Sequence, residues 1–150
     1  VTLYMSQTPG EQVGERSRFN MVDMESPSNA SSLINDDLRL FLKNKVNSFI
    51  KWDLVRFFHD NPHTKDTAEN IARYTGRDMR TIQRELDSLV KSEVLAAQQI
   101  ADVKVYALSQ DDKLRTRIND FIGACHDRQF RVAVIHEVID QMQFSPRHDF

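Results

Sequence analysis

From Asn35 onward the apolar residues fall into a helical rhythm. Leu38, Phe41 and Leu42 share one face, with Asp36 and Asp37 in a first turn where negative charge favours the helix dipole. This spacing predicts a helix to about Val46. From Ser48 to Asp60, Ile50, Leu54, Phe57 and Phe58 recur as a core-facing stripe, and Asn61-Pro62 ends it. Asp66, three residues before Glu69, reads as a cap for a short helix that carries Ile71 and Ala72 and stops at Thr75-Gly76. Asp78 caps the next helix, whose predicted stripe is Met79, Ile82, Leu86, Leu89 and Val90.

The rhythm then changes to two. Val94 to Ile100 and Val103 to Leu108 flank Ala101-Asp102, and Val103, Val105 and Ala107 alternate with Lys104, Tyr106 and Leu108, which predicts a β-hairpin. Helical spacing returns with Leu114, Ile118, Phe121 and Ile122. A last helix carries Phe130, Val134, Ile135, Val138, Ile139 and Met142, with Val132 and Ala133 widening its apolar surface beyond what one neighbour covers. Residues 1–32, rich in Ser, Gln, Asn, Gly and Pro and lacking either period, are expected to be disordered.

Composition adds limits. The chain has 150 residues, 40% of them apolar, which suits one domain of ordinary size. Its single cysteine, Cys125, excludes an internal disulfide. No run reaches the roughly 18 apolar residues that a spanning helix needs, and the start lacks the pattern of a secretory signal. A cytoplasmic protein without membrane contact is the expectation. The net charge of −2 runs against the basic surplus usual in nucleic-acid binders, so the placement of cations matters more than their total.

Two short helices around a glycine turn, followed by a hairpin, are the order of a winged helix-turn-helix. The stretch DTAENIARYTGRDMRTIQRELDSLVKSEVLAAQQIADVKVYALS resembles that unit of small bacterial and archaeal regulators, the ArsR and MarR-like groups. Its phrases are A-x-x-I-A (Ala68 to Ala72), R-T-I-x-R-x-L (Arg80 to Leu86) and L-V-K-S-E-V-L (Leu89 to Leu95). The resemblance implies a mainly α fold with a small β-hairpin wing and additional N- and C-terminal helices. Its domain occupies residues 33–150, with the winged-helix core at 48–109 and helices within 110–142 for packing or dimerisation. The chain departs from the pattern twice: Glu93 stands where a glycine commonly precedes the first hairpin strand, and the hairpin carries only Lys104, against Asp102.

With Ile82 as the buried reference, Arg77, Arg80, Arg84 and Lys91 project outward from the helix at about 78–91, with Thr81 and Gln83 at the margins. These residues and Lys104 are the candidate DNA contacts, since guanidinium groups donate paired hydrogen bonds to guanine or phosphate. The plainer alternative is a solvated face on which Arg84 pairs with Asp87. Arg73 and Lys65 are secondary candidates for the phosphate backbone.

Other constellations carry less. Cys125, His126, Asp127, His136 and Glu137 raise the question of zinc. However, His126 and His136 are about 280° apart around a continuous helix, and no C-x-C or C-x-x-C occurs, so no metal and no cofactor are expected. Pro62 separates His59 from His63 and makes them loop residues. Phe49, Trp52, Phe57 and Phe58 are expected in the core. No phosphate-binding glycine loop, no G-x-S-x-G and no suggestive carboxylate pair is present, so enzymatic activity is not expected. The leading expectation is a homodimeric, sequence-specific transcriptional regulator that binds double-stranded DNA. The alternatives on the same scaffold are a protein-interaction module and a DNA-partition adaptor.

Overall fold

A computed structural model describes residues 33–144. Six helices lie within them, and each begins on a short polar side chain that accepts a hydrogen bond from a backbone N–H two or three residues on. The helices and their caps are α1 (Asp36–Lys45, capped by Asn35), α2 (Phe49–Asp60, Ser48) and α3 (Ala68–Thr75, Thr67). Next come α4 (Met79–Lys91, Asp78), α5 (Asp112–Ala124, Asp111) and α6 (Arg128–Phe144, Asp127). The strands are β1 (Lys65–Thr67), β2 (Leu95–Ile100) and β3 (Val103–Leu108). The described residues are mainly helical with one small antiparallel sheet in the order β1-β3-β2. The expected disorder of residues 1–32 lies outside the described residues.

Several details differ from the sequence reading. His59, expected in a loop, lies in the last turn of α2, because Pro62 follows the helix end instead of interrupting it. Asp66 is not the cap of α3. It sits in β1, a strand too short to show a period, and its Oδ1 accepts from the Thr67 N–H and from Asn70 Nδ2, while Thr67 caps the helix. Met79 is 44% exposed instead of joining the stripe of α4, because side chains in a first turn lean back past the helix end and find no neighbour there. The buried row is Ile82, Glu85, Leu86 and Leu89. Of the four aromatic residues expected in the core, only Phe58 is fully buried. Trp52 and Phe57 are half-buried, and Phe49, the first residue of α2, stacks on Trp52 with one side in solvent.

Two reversals of the chain position α4. At the end of α3, Gly76 adopts φ +69°, its N–H donates to the Arg73 carbonyl and the Arg77 N–H donates to that of Ala72, a Schellman pair that closes the helix. Three residues, Gly76 to Asp78, then separate α3 from α4. The end of α4 repeats the device: the Glu93 N–H donates to Val90 and the Val94 N–H to Leu89, with Glu93 itself at φ +69°. Glu93 therefore occupies the left-handed position that a glycine would take without steric cost.

One hydrophobic cluster runs through all six helices and the sheet, including Leu42, Leu54, Phe58, Ile71, Ile82, Leu86, Leu89, Tyr106, Ile118 and Val138. Helices α5 and α6 are thus part of the same core as the α3–α4 unit, with α5 against α2 and α6 against α1. Of β3, Tyr106 and Leu108 join this cluster from one side, Val105 is buried on the other, and Val103 at the hairpin tip is exposed. On α6 the inward row is Ala133, Val134, Glu137 and Val138; Val132 and Ile135 are half-buried, and Ile139 is 37% exposed. Among the described residues no helix is long and apolar enough to cross a membrane.

Candidate nucleic-acid interface

The outward side of α4 follows from its inward side. Once Ile82, Leu86 and Leu89 are buried, the 3.6-residue turn places Arg80, Gln83, Arg84, Asp87, Ser88 and Lys91 along a single stripe, which lines an open groove of about 540 Å³. Arg80, Arg84 and Lys91 are exposed, and Gln83 is half-buried. Neither Arg80 nor Lys91 makes a side-chain hydrogen bond or ion pair among the described residues. Thr81 is half-buried and committed to the cap, its hydroxyl donating to Asp78 Oδ2 at 3.1 Å. Backbone and hydroxyl donors from Thr81 hold the Asp78 carboxyl below its ordinary range.

Two candidate cations sit elsewhere. The Arg77 guanidinium is ion-paired with Asp53 of α2, which also accepts from Arg56 at 3.1 Å, so Arg77 braces the turn against α2 instead of extending the stripe. Lys104 reaches from β3 to Asp87 Oδ1 at 2.9 Å, and Tyr106 donates to the same oxygen at 2.6 Å. Burial raises the pKa of Asp87, but the Tyr106 hydrogen bond and Lys104 together outweigh it and hold the carboxyl below its usual range. Burial and then the neighbouring carboxylate push the Tyr106 phenol well up, which keeps it a donor at any physiological pH. The hairpin is in this way fastened to α4 through one carboxylate.

Asp87 and Ser88 belong to the stripe; the sequence reading has Asp87 only as a partner for Arg84 and does not name Ser88. The signal was present, since both fall seven and eight residues after Arg80 on the same face. The buried Glu85 was also missed: it lies in the inward row of α4, within 3.5 Å of the Ser48 hydroxyl and 3.8 Å of Lys51 Nζ, and it ties α4 to the start of α2. Arg73 bonds Asn70, and Lys65 lies on β1 away from α4.

The residues considered for zinc do not converge. His126 and His136 are exposed, Glu137 accepts from Arg39 Nε at 3.2 Å and from Gln141, and burial pushes the Cys125 thiol up to about 11. Among the described residues no group of three or more His, Cys, Asp or Glu is placed to hold a metal. Compared with family models, with curated proteins and with solved structures, the chain matches none.

Proposed function

We propose that the α3–α4–hairpin unit is a winged helix-turn-helix and that the protein is a sequence-specific DNA-binding regulator of transcription. The observation that carries this reading is the stripe on α4: a 13-residue helix buries one apolar side and turns Arg80, Gln83, Arg84 and Lys91 outward along the other. A helix of that length spans about 20 Å and fits a major groove about 12 Å wide. There Arg80 and Arg84 offer forked donors to guanine or phosphate, Gln83 can pair with adenine, and Lys91 supplies a point charge for the backbone.

Assembly as a homodimer belongs to the same proposal. Val132, Ile135 and Ile139 form an incompletely covered stripe on α6, opposite its inward row. A second copy meeting this stripe across a two-fold axis brings two α4 helices to one duplex, with half-sites about one helical turn apart. A monomer in sedimentation at micromolar concentration contradicts this part.

A second reading, a protein-interaction module on the same scaffold, is favoured by one observation. Lys104 is occupied by Asp87, so the cation of the hairpin is spent inside the molecule and a carboxylate interrupts the basic stripe. The deciding experiment is fluorescence anisotropy with a pool of duplexes that includes the DNA flanking the protein's own gene, comparing wild type with Arg80→Ala/Arg84→Ala. Sequence-specific binding lost in the double variant supports the regulator. Absence of binding by wild type at about 50 mM salt, where the counterion contribution is strong, removes it in favour of the interaction module.

A further inference from the structure

On the other side of the sheet, where β1 and the end of β3 meet the start of α5, lies a second cavity of about 270 Å³. Its polar lining is His63, Thr64, Lys65, Gln110 and Arg115, with Ala107 behind them. No carboxylate lines it among the described residues. In a chain with more acidic than basic residues, a recess whose charged side chains are all basic and whose remaining lining is neutral is a selective arrangement.

The strand register sets two of its lining residues, Lys65 and Ala107, apart from α4. Asp66 pairs with Tyr106, and those two side chains reach Tyr74 of α3 and Asp87 of α4. Lys65 pairs with Ala107, one step along each strand, and successive residues of a strand point to opposite sheet faces. Lys65 and Ala107 therefore lie on the face turned away from the helix-turn-helix.

Arg115 is held ready. Its Nε donates to the Ser109 carbonyl at 2.7 Å, its side chain is half-buried, and no other hydrogen bond or ion pair holds its terminal nitrogens among the described residues. A guanidinium fixed through Nε presents its two outer nitrogens as a planar fork. Lys65, on an edge strand, has no side-chain partner among the described residues. A fork, an ammonium, an imidazole, a hydroxyl and an amide supply more donors than the two oxygens of a carboxylate accept. The three terminal oxygens and near-double charge of a phosphomonoester match them better. At about 270 Å³ the recess is below the usual range of pockets for drug-sized ligands and suits a phosphate with a short carbon body.

We propose that this cavity is a binding site for a small phosphomonoester, held by Arg115 and Lys65 with Thr64 and Gln110 orienting it. The test titrates the full chain with inorganic phosphate and with glycerol 3-phosphate at constant ionic strength, following amide resonances by NMR. The expected result is saturable shifts at Thr64, Ala107 and Gln110, and at least about a tenfold loss of affinity in Arg115→Gln, as expected when one charge-assisted contact is removed. Lys65→Gln, an exposed change that leaves the backbone pairing of β1 intact, weakens binding in the same direction and decides the matter if Arg115→Gln does not fold. Shifts confined to the α4 stripe, or affinities equal in wild type and both variants, overturn the proposal. A duplex titration distinguishes the other source of phosphate: if Arg115→Gln weakens duplex binding while neither small phosphate saturates wild type, the cavity is a backbone contact and the small-ligand site is refuted.

Discussion

The Tyr106 hydroxyl donates to Asp87 Oδ1 at 2.6 Å, joining the buried face of β3 to the exposed stripe of α4. Asp87 has a depressed pKa, so its contribution to stability is present above the unfolded value near 4 and is lost as pH falls through the lower folded value. Tyr106→Phe removes the strongest of the interactions that lower it. The expected loss at neutral pH is about 1 kcal/mol, and the acid side of the stability profile flattens. Chemical denaturation of both proteins between pH 2 and pH 7 measures it.

Leu86 is fully buried between Ile82 and Leu89, so Leu86→Ala leaves a cavity as well as losing apolar burial. A loss of about 2 to 5 kcal/mol is expected. A denaturation midpoint that barely moves contradicts the helix phase on which the outward placement of Arg80 and Arg84 depends.

Glu93→Gly relieves a left-handed residue at φ +69° whose backbone N–H already makes the closing bond to Val90. The expected gain is about 1 kcal/mol, measured as a raised denaturation midpoint with an unchanged slope.

The periodicity of apolar residues made the helices and the hairpin legible because burial imposes it directly. The same arithmetic gave the outward positions of Arg80, Arg84 and Lys91. It did not show β1, which has three residues and is held by pairing with β3 instead of by its own pattern. Nor could it show that Arg77 turns to Asp53, 24 residues earlier, or that Lys104 turns to Asp87, since those partners meet only through tertiary packing. Met79 and Phe49 were misplaced for one reason: each follows the periodicity of its helix but stands at the first turn, where the core has already ended.

Asp53 holds Arg77 away from the proposed duplex contact, and removing the carboxylate charge releases it. Asp53→Asn is expected to strengthen duplex binding at low salt and to make the log-log salt slope more negative by up to about 0.9, the contribution of one added phosphate contact. Arg77→Ala alone is expected to change the slope little. Anisotropy titrations at several salt concentrations compare the three proteins.

The most direct test of the proposed function is the salt dependence of duplex affinity in wild type and in Arg80→Ala/Arg84→Ala, with folding of both verified by circular dichroism. Neither arginine belongs to the core, so the double variant is expected to melt with wild type. The proposal predicts a steep wild-type slope that becomes shallower by up to about 1.8 for each bound protomer in the double variant, the limit in which both arginines meet phosphates, together with loss of sequence preference. Equal slopes and equal affinities in the two folded proteins contradict it.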